Sequence, residues 1–183
     1  MIITKASALF LDRDGVINEE IKDDYVKYPE QFRFMPFVQE SVYQLSKYFN
    51  KIFIATNQRG VGRGLMTEAD LAAVHEYMMG EFARSLAPIT RIYYCTAVNN
   101  DHPDRKPNAG MAFRAKYDFP EIDLSTSVMV GNKPGDMEFG RNAGMQTVFI
   151  TSTNPPFELP HPLVDHQFQS LSQLAHFVPG LKE

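Results

Sequence analysis

The chain of 183 residues is 44% hydrophobic and 22% charged, ordinary proportions for a folded protein with a sizeable core in one domain. A formal charge of −4 argues against electrostatic nucleic-acid binding, and no apolar run reaches membrane-spanning length. Its one cysteine, Cys95, excludes an internal disulfide. Residues 1–5 enter the first apolar segment without a signal-peptide pattern, so a cytoplasmic location is expected.

In chain order, the first element is the apolar run Ala8–Leu11, which stops at Asp12-Arg13-Asp14-Gly15. Residues 37–49 place Val38, Val42, Leu45 and Phe49 on one helical face. A strand is expected over 51–55, then a helix that Thr67 caps and that stops before Pro88. A strand over Arg91–Cys95, a short helix over 109–117 and a strand over 127–130 come next. Pro134 suits the first turn of a helix ending near Gly144, and a strand covers 147–150. The proline-rich stretch 154–162 is expected to wrap the surface before a last short strand near Gln167. Strands alternating with helices predict an α/β fold, a doubly wound, mostly parallel sheet of Rossmann type, as a single domain over 1–183.

Four polar segments follow strands in this reading, and so reach the same edge of the sheet. Asp12 and Asp14, one residue apart, can divide nucleophilic and proton-transfer work. Thr56-Asn57-Gln58-Arg59-Gly60 offers a hydroxyl beside backbone N–H groups, a reasonable phosphate cradle. Arg105-Lys106-Pro107 supplies a lysine that can balance charge on a transferring phosphoryl group. Gly131-Asn132-Lys133-Pro134-Gly135-Asp136 brings an amide oxygen and a carboxylate suited to an oxygen-loving cation. Singly, each has a simpler reading: Thr56 as a turn cap, Lys106 as a solvated lysine, Asp136 as a charge at its own helix N-terminus. Together, in this order, they point to chemistry.

The set resembles the haloacid dehalogenase (HAD) superfamily of Mg²⁺-dependent phosphatases. More narrowly, it resembles the branch containing D-glycero-D-manno-heptose 1,7-bisphosphate phosphatases and histidinol-phosphate phosphatases. Asp12 to Asn18, Tyr25-Val26, Thr56-Asn57-Gln58, Arg63-Gly64, Arg105-Lys106-Pro107 with Gly110-Met111, and Asp136-Met137 carry this likeness. The resemblance implies that Asp12 attacks phosphorus and that Asp14 protonates the leaving alkoxide and then deprotonates water, which requires a raised Asp14 pKa in the bound state. It implies that Thr56 and Lys106 neutralise charge, and that Mg²⁺ is held by Asp12, the Asp14 backbone carbonyl, Asn132 and Asp136. The expected substrate contacts are Asn57, Gln58, Arg59, Arg63 and Arg105, with the arginines suited to a second phosphate. The intervals Asp12 to Thr56 and Thr56 to Lys106 leave no room for a separate cap domain, so a capless site under the 19–34 loop is expected.

Two departures from the branch stand out. The three cysteines and one histidine of its structural zinc loop are reduced here to Cys95 and His102, so zinc is not expected. Asn132 stands where the family usually carries aspartate, which removes one negative charge and predicts a raised Mg²⁺ requirement. The leading function is hydrolysis of a small sugar phosphate such as heptose 1,7-bisphosphate, by a monomer without nucleic-acid or membrane partners. Histidinol phosphate is the alternative substrate, and a module that binds phosphate compounds without turnover is the alternative of another class. Polynucleotide 3′-phosphatases share the R-K-P…G-M pattern, but the acidic balance opposes them.

Overall fold

Ala8, Leu9, Phe10 and Leu11 are fully buried, and they form β1 (Ala8–Leu11) at the middle of a six-stranded sheet. The computed structural model describes residues 1–182; Glu183, the last residue of the domain expected over 1–183, lies outside the described residues. The other strands are β2 (Lys51–Asn57), β3 (Arg91–Cys95), β4 (Val128–Gly131), β5 (Gln146–Ile150) and β6 (His166–Phe168). They lie in the order β3-β2-β1-β4-β5-β6, every pair parallel. The helices are α1 (Val38–Leu45), α2 (Arg59–Gly62), α3 (Glu68–Arg84), α4 (Gly110–Asp118), α5 (Pro134–Asn142) and α6 (Leu171–Phe177).

Alternation along β1 divides the core in two. Leu9 and Leu11 join α1, α3 and α6 through Val42, Leu45, Val74, Met78 and Leu174. Ala8 and Phe10 join α4 and α5 through Met111, Ala115 and Phe139. Helices on both faces explain why the central strands are apolar throughout and not alternating. Among the described residues, no helix is long and apolar enough to cross a membrane.

The register sets the site. Leu11 pairs with Ile54 of β2 and Val130 of β4, so Asp12, Ala55 and Gly131 stand level one residue further on. Strand β2 runs two residues past the predicted end, which makes Thr56 and Asn57 strand residues paired with Tyr94 and Cys95. Helix α1 is shorter than its apolar stripe: after Leu45 the chain continues in turns, and Phe49 remains buried. Thr67 caps α3 in a reciprocal box with Asp70. Helices α2 and α6 are unpredicted. The first is a single turn rich in glycine, and the second is capped by Ser170, which accepts from the Gln173 N–H. Between β1 and β2 the chain forms the 19–34 loop and α1, and between β2 and β3 it forms α2 and α3.

Candidate active site

The polar residues gather at the carboxyl ends of β1, β2 and β4, where the winding of the sheet reverses. The Asp12 N–H still donates to the Val130 carbonyl at 2.9 Å, so the carboxylate leaves from backbone that the sheet holds. The chain then turns, with the Arg13 carbonyl accepting from the Ile17 and Asn18 N–H groups at 2.8 and 3.1 Å. Gly15 takes a φ of 90°, and a Cβ there would stand 2.0 Å from Asn132 Nδ2. Both the backbone and the space require glycine.

Lys106 is the central cation. Its Nζ lies 2.7 Å from Asp12 Oδ1, Asp136 Oδ1 and the Ala55 carbonyl, which uses all three ammonium donors. Burial alone would lower its pKa, but the Asp12 and Asp136 charges raise it above the ordinary lysine value. Asn57 clamps its backbone, accepting from the Lys106 N–H at 3.0 Å and donating to its carbonyl at 2.9 Å. Asp136, in the first turn of α5, accepts from the Asn132 and Lys133 N–H groups at 3.1 and 3.0 Å.

Asp14 sits in a separate network. Arg13 Nη2 and Asn18 Nδ2 each donate to Oδ1 at 3.0 Å, and Gln58 Nε2 donates to Oδ2 at 2.9 Å. Burial would raise the Asp14 pKa, but the Arg13 charge and these donors hold it below the ordinary carboxylate value. The free site therefore holds Asp14 ionised, the opposite direction from that expected with substrate bound. Gln58 Nε2 also donates to Thr56 Oγ1 at 2.9 Å, which leaves the hydroxyl proton of Thr56 for an incoming oxygen. Arg13 is wholly buried, and its Nη1 lies 3.2 Å from Nε2 of His75 on α3.

Burial and the Asp136 charge push Asp12 up to about 7, against the opposing pull of Lys106. Two buried carboxylates share one ammonium, so this centre is short of positive charge. Asn132 is fully buried, with Nδ2 donating to Thr153 Oγ1 at 2.5 Å and Oδ1 without a partner. The charge shortage and the unpartnered oxygen fit a hard, oxygen-ligated cation such as Mg²⁺. Among the described residues no three His, Cys, Asp or Glu side chains form a ready cage. Near Cys95, the His102 Nδ1 lies 3.6 Å from the sulfur.

Beyond this centre opens a pocket of about 250 Å³. Arg59, Arg63 and Arg105 line it together with Asp12, Asp14 and Lys106. Arg59 donates to Asn100 Oδ1 at 2.5 Å, Arg63 to the Tyr25 hydroxyl at 3.3 Å and Arg105 to the Ala97 carbonyl at 3.2 Å. No carboxylate among the described residues forms a salt bridge with any of the three. Burial and the charges of Arg59 and Arg63 lower the Arg105 pKa, the mark of uncompensated cations held close together. A larger hollow of about 500 Å³ lies between Phe37 and α6, but it holds no pair of acids.

Asp12, Asp14, Thr56, Lys106, Asn132 and Asp136 thus come together from four chain segments. Asn57 and Gln58, expected to face the substrate, have their amide donors committed to Lys106, Asp14 and Thr56. Arg13 and His75 went unremarked in the sequence, and a histidine within an amphipathic helix carries no signal of its own. Burial and the Arg13 charge drop the His75 pKa to about 3. An unfolded histidine protonates near pH 6.5, so between pH 6.5 and about 3 the unfolded chain binds the extra proton, and stability is lost through this residue as the pH is lowered across that window. In His75→Gln that loss, on the order of 2–4 kcal/mol, should vanish from the difference between chemical-denaturation curves at pH 7 and pH 4.

Comparison with known proteins gives a consistent picture. A family model described as HAD-hydrolase-like matches residues 104–172. A D-glycero-alpha-D-manno-heptose-1,7-bisphosphate 7-phosphatase of Campylobacter jejuni is 36% identical over 177 residues, covering 94% of this chain and 96% of the relative. A D-glycero-beta-D-manno-heptose-1,7-bisphosphate 7-phosphatase of Vibrio cholerae is 32% identical, covering 96% and 98%. Among solved structures, the D,D-heptose 1,7-bisphosphate phosphatase of B. bronchiseptica, complexed with magnesium and phosphate, shares the fold with a TM-score of 0.84 at 24% identity, covering 96% and 99%. The sequence likeness runs over nearly the whole chain, and its fold is theirs: the chain belongs to the HAD-like phosphatases, in the family of the heptose-1,7-bisphosphate 7-phosphatases.

Proposed function

We propose that the protein hydrolyses the 7-phosphate of D-glycero-D-manno-heptose 1,7-bisphosphate through a phosphoryl group carried on Asp12. The observation that carries this reading is the pocket itself: a buried, lysine-held carboxylate faces three arginines that have no acid partner among the described residues. One phosphate would meet Asp12, Thr56 and Lys106, and the other would meet the arginines. The names of the relatives support the substrate.

Lys106 holds Asp12 Oδ1, leaving Oδ2 to form the new bond to phosphorus as the ester P–O bond breaks. The approaching phosphate adds negative charge beside Asp14 and raises its proton affinity. Asp14 therefore takes up a proton from solvent as the phosphate binds, and gives it to the departing alkoxide. In the second half a water attacks phosphorus, Asp14 takes its proton, and Asp12 returns as a carboxylate. Thr56 donates its hydroxyl proton to a phosphoryl oxygen, and Gln58 ties Thr56 and Asp14 into one unit. Mg²⁺, held by Asp12, the Asp14 carbonyl, Asn132 and Asp136, would neutralise charge on the phosphoryl oxygens. All of these residues come from one chain, so a monomer suffices, and a cytoplasmic setting suits its single buried cysteine.

Two outcomes test this reading. Arg63→Ala should raise KM about tenfold for heptose 1,7-bisphosphate and leave KM nearly unchanged for a heptose bearing only the 7-phosphate. Equal effects on both, or turnover of histidinol phosphate in preference to either anomer of the bisphosphate, would contradict it. Asn132→Asp restores a negative charge where the Thr153 hydroxyl can donate to it, so calorimetry should show Mg²⁺ binding tightened by about tenfold. An unchanged Kd would remove the charge argument.

A further inference from the structure

We infer that His75, on α3, is a positioning residue for this hydrolysis: its Nε2 fixes the Arg13 guanidinium that in turn orients the Asp14 carboxylate. The inference rests on the phosphatase reading and on the geometry of one buried chain of contacts. Arg13 is wholly buried, and its Nε has no partner. Two contacts define its guanidinium, Nη1 with His75 Nε2 at 3.2 Å and Nη2 with Asp14 Oδ1 at 3.0 Å. Because the guanidinium is planar and rigid, an anchor on Nη1 sets the direction of Nη2. Without it, the fork is held only by the carboxylate it is meant to hold.

The chemistry of the anchor matters. A carboxylate at position 75 would pair with Arg13 and draw its charge away from Asp14. A neutral imidazole orients the fork and leaves that charge directed at Asp14. The ring stays neutral because burial and the Arg13 charge oppose protonation. With Nε2 accepting, its proton sits on Nδ1. Tyr94 of β3 packs edge-on against the ring with centroids 5.5 Å apart, and α3 is itself fixed by the Thr67–Asp70 box. Alongside the direct donors Asn18 and Gln58, the carboxyl group assigned to proton transfer is therefore aligned through Arg13 by a helix outside the pocket.

The plainer reading, that His75 merely satisfies a buried donor, makes a different prediction. Proton donation by Asp14 is needed to expel an alkoxide but not p-nitrophenolate, which leaves without a proton. His75→Leu removes the acceptor and His75→Gln restores one. With Mg²⁺ present, and at a temperature where circular dichroism shows both variants folded, first-turnover rates on heptose 1,7-bisphosphate and p-nitrophenyl phosphate should be compared. The expected result is a loss of about tenfold on the bisphosphate in His75→Leu and less than about twofold on the nitrophenyl ester. His75→Gln should recover to within about threefold of the parent rate. Equal losses on both substrates, no loss on either, or no recovery in a folded His75→Gln would overturn the inference. A parent enzyme that hydrolyses neither ester would overturn the phosphatase reading, and this inference with it.

Discussion

One ammonium group holds the site together. Lys106 reaches into a buried space, where its three donors meet the acid that follows β1, the acid of α5 and a carbonyl of β2. Each partner comes from a different segment, so the ion cluster ties together the carboxyl ends of the central strands. Removing one member of such a buried group leaves an uncompensated charge, typically at a cost of roughly 3–5 kcal/mol. The Asn57 clamp on the Lys106 backbone and the glycine at 131, where a Cβ would lie 2.2 Å from Asp136 Cβ, serve the same arrangement.

That cluster is deliberately incomplete in charge. Asp12 and Asp136 outnumber Lys106, whereas Asp14 is matched by Arg13. The two acids near the start of the chain are thus held in opposite electrostatic states, Asp12 pushed up and Asp14 held down. Proximity in sequence hides this division, because the side chains face different partners across one turn. It also separates the two places where charge is still uncompensated: beside Asp12 and Asn132, which suits a cation, and opposite the arginines, which suits an anion.

Much of this was legible in the residues. The all-apolar β1 and the acids after it, the alternation of strands and helices, and the four polar segments follow from local pattern, because buried parallel strands and helix caps leave strong traces. What remained hidden depends on contacts distant in sequence. Asn57 reads as a ligand-facing polar residue, yet its amide serves Lys106, 49 positions away. Arg13 lies between two acids and carries no signal of burial in the sequence, although it is among the largest fully buried side chains. His75 meets Arg13 across 62 positions. The extension of β2 through Asn57 depends on pairing with β3 and not on the apolar run that predicts its core.

The reaction proposed here turns on Asp12 carrying the phosphoryl group. Rapid acid quench during turnover of heptose 1,7-bisphosphate, followed by mass spectrometry of the peptide containing Asp12, tests it most directly. Asp12 should be found phosphorylated, hydroxylamine should remove the phosphoryl group, and Asp12→Asn should abolish both the modification and phosphate release. Sustained turnover with no phosphoryl group on this peptide, or with the group on another residue, would contradict it.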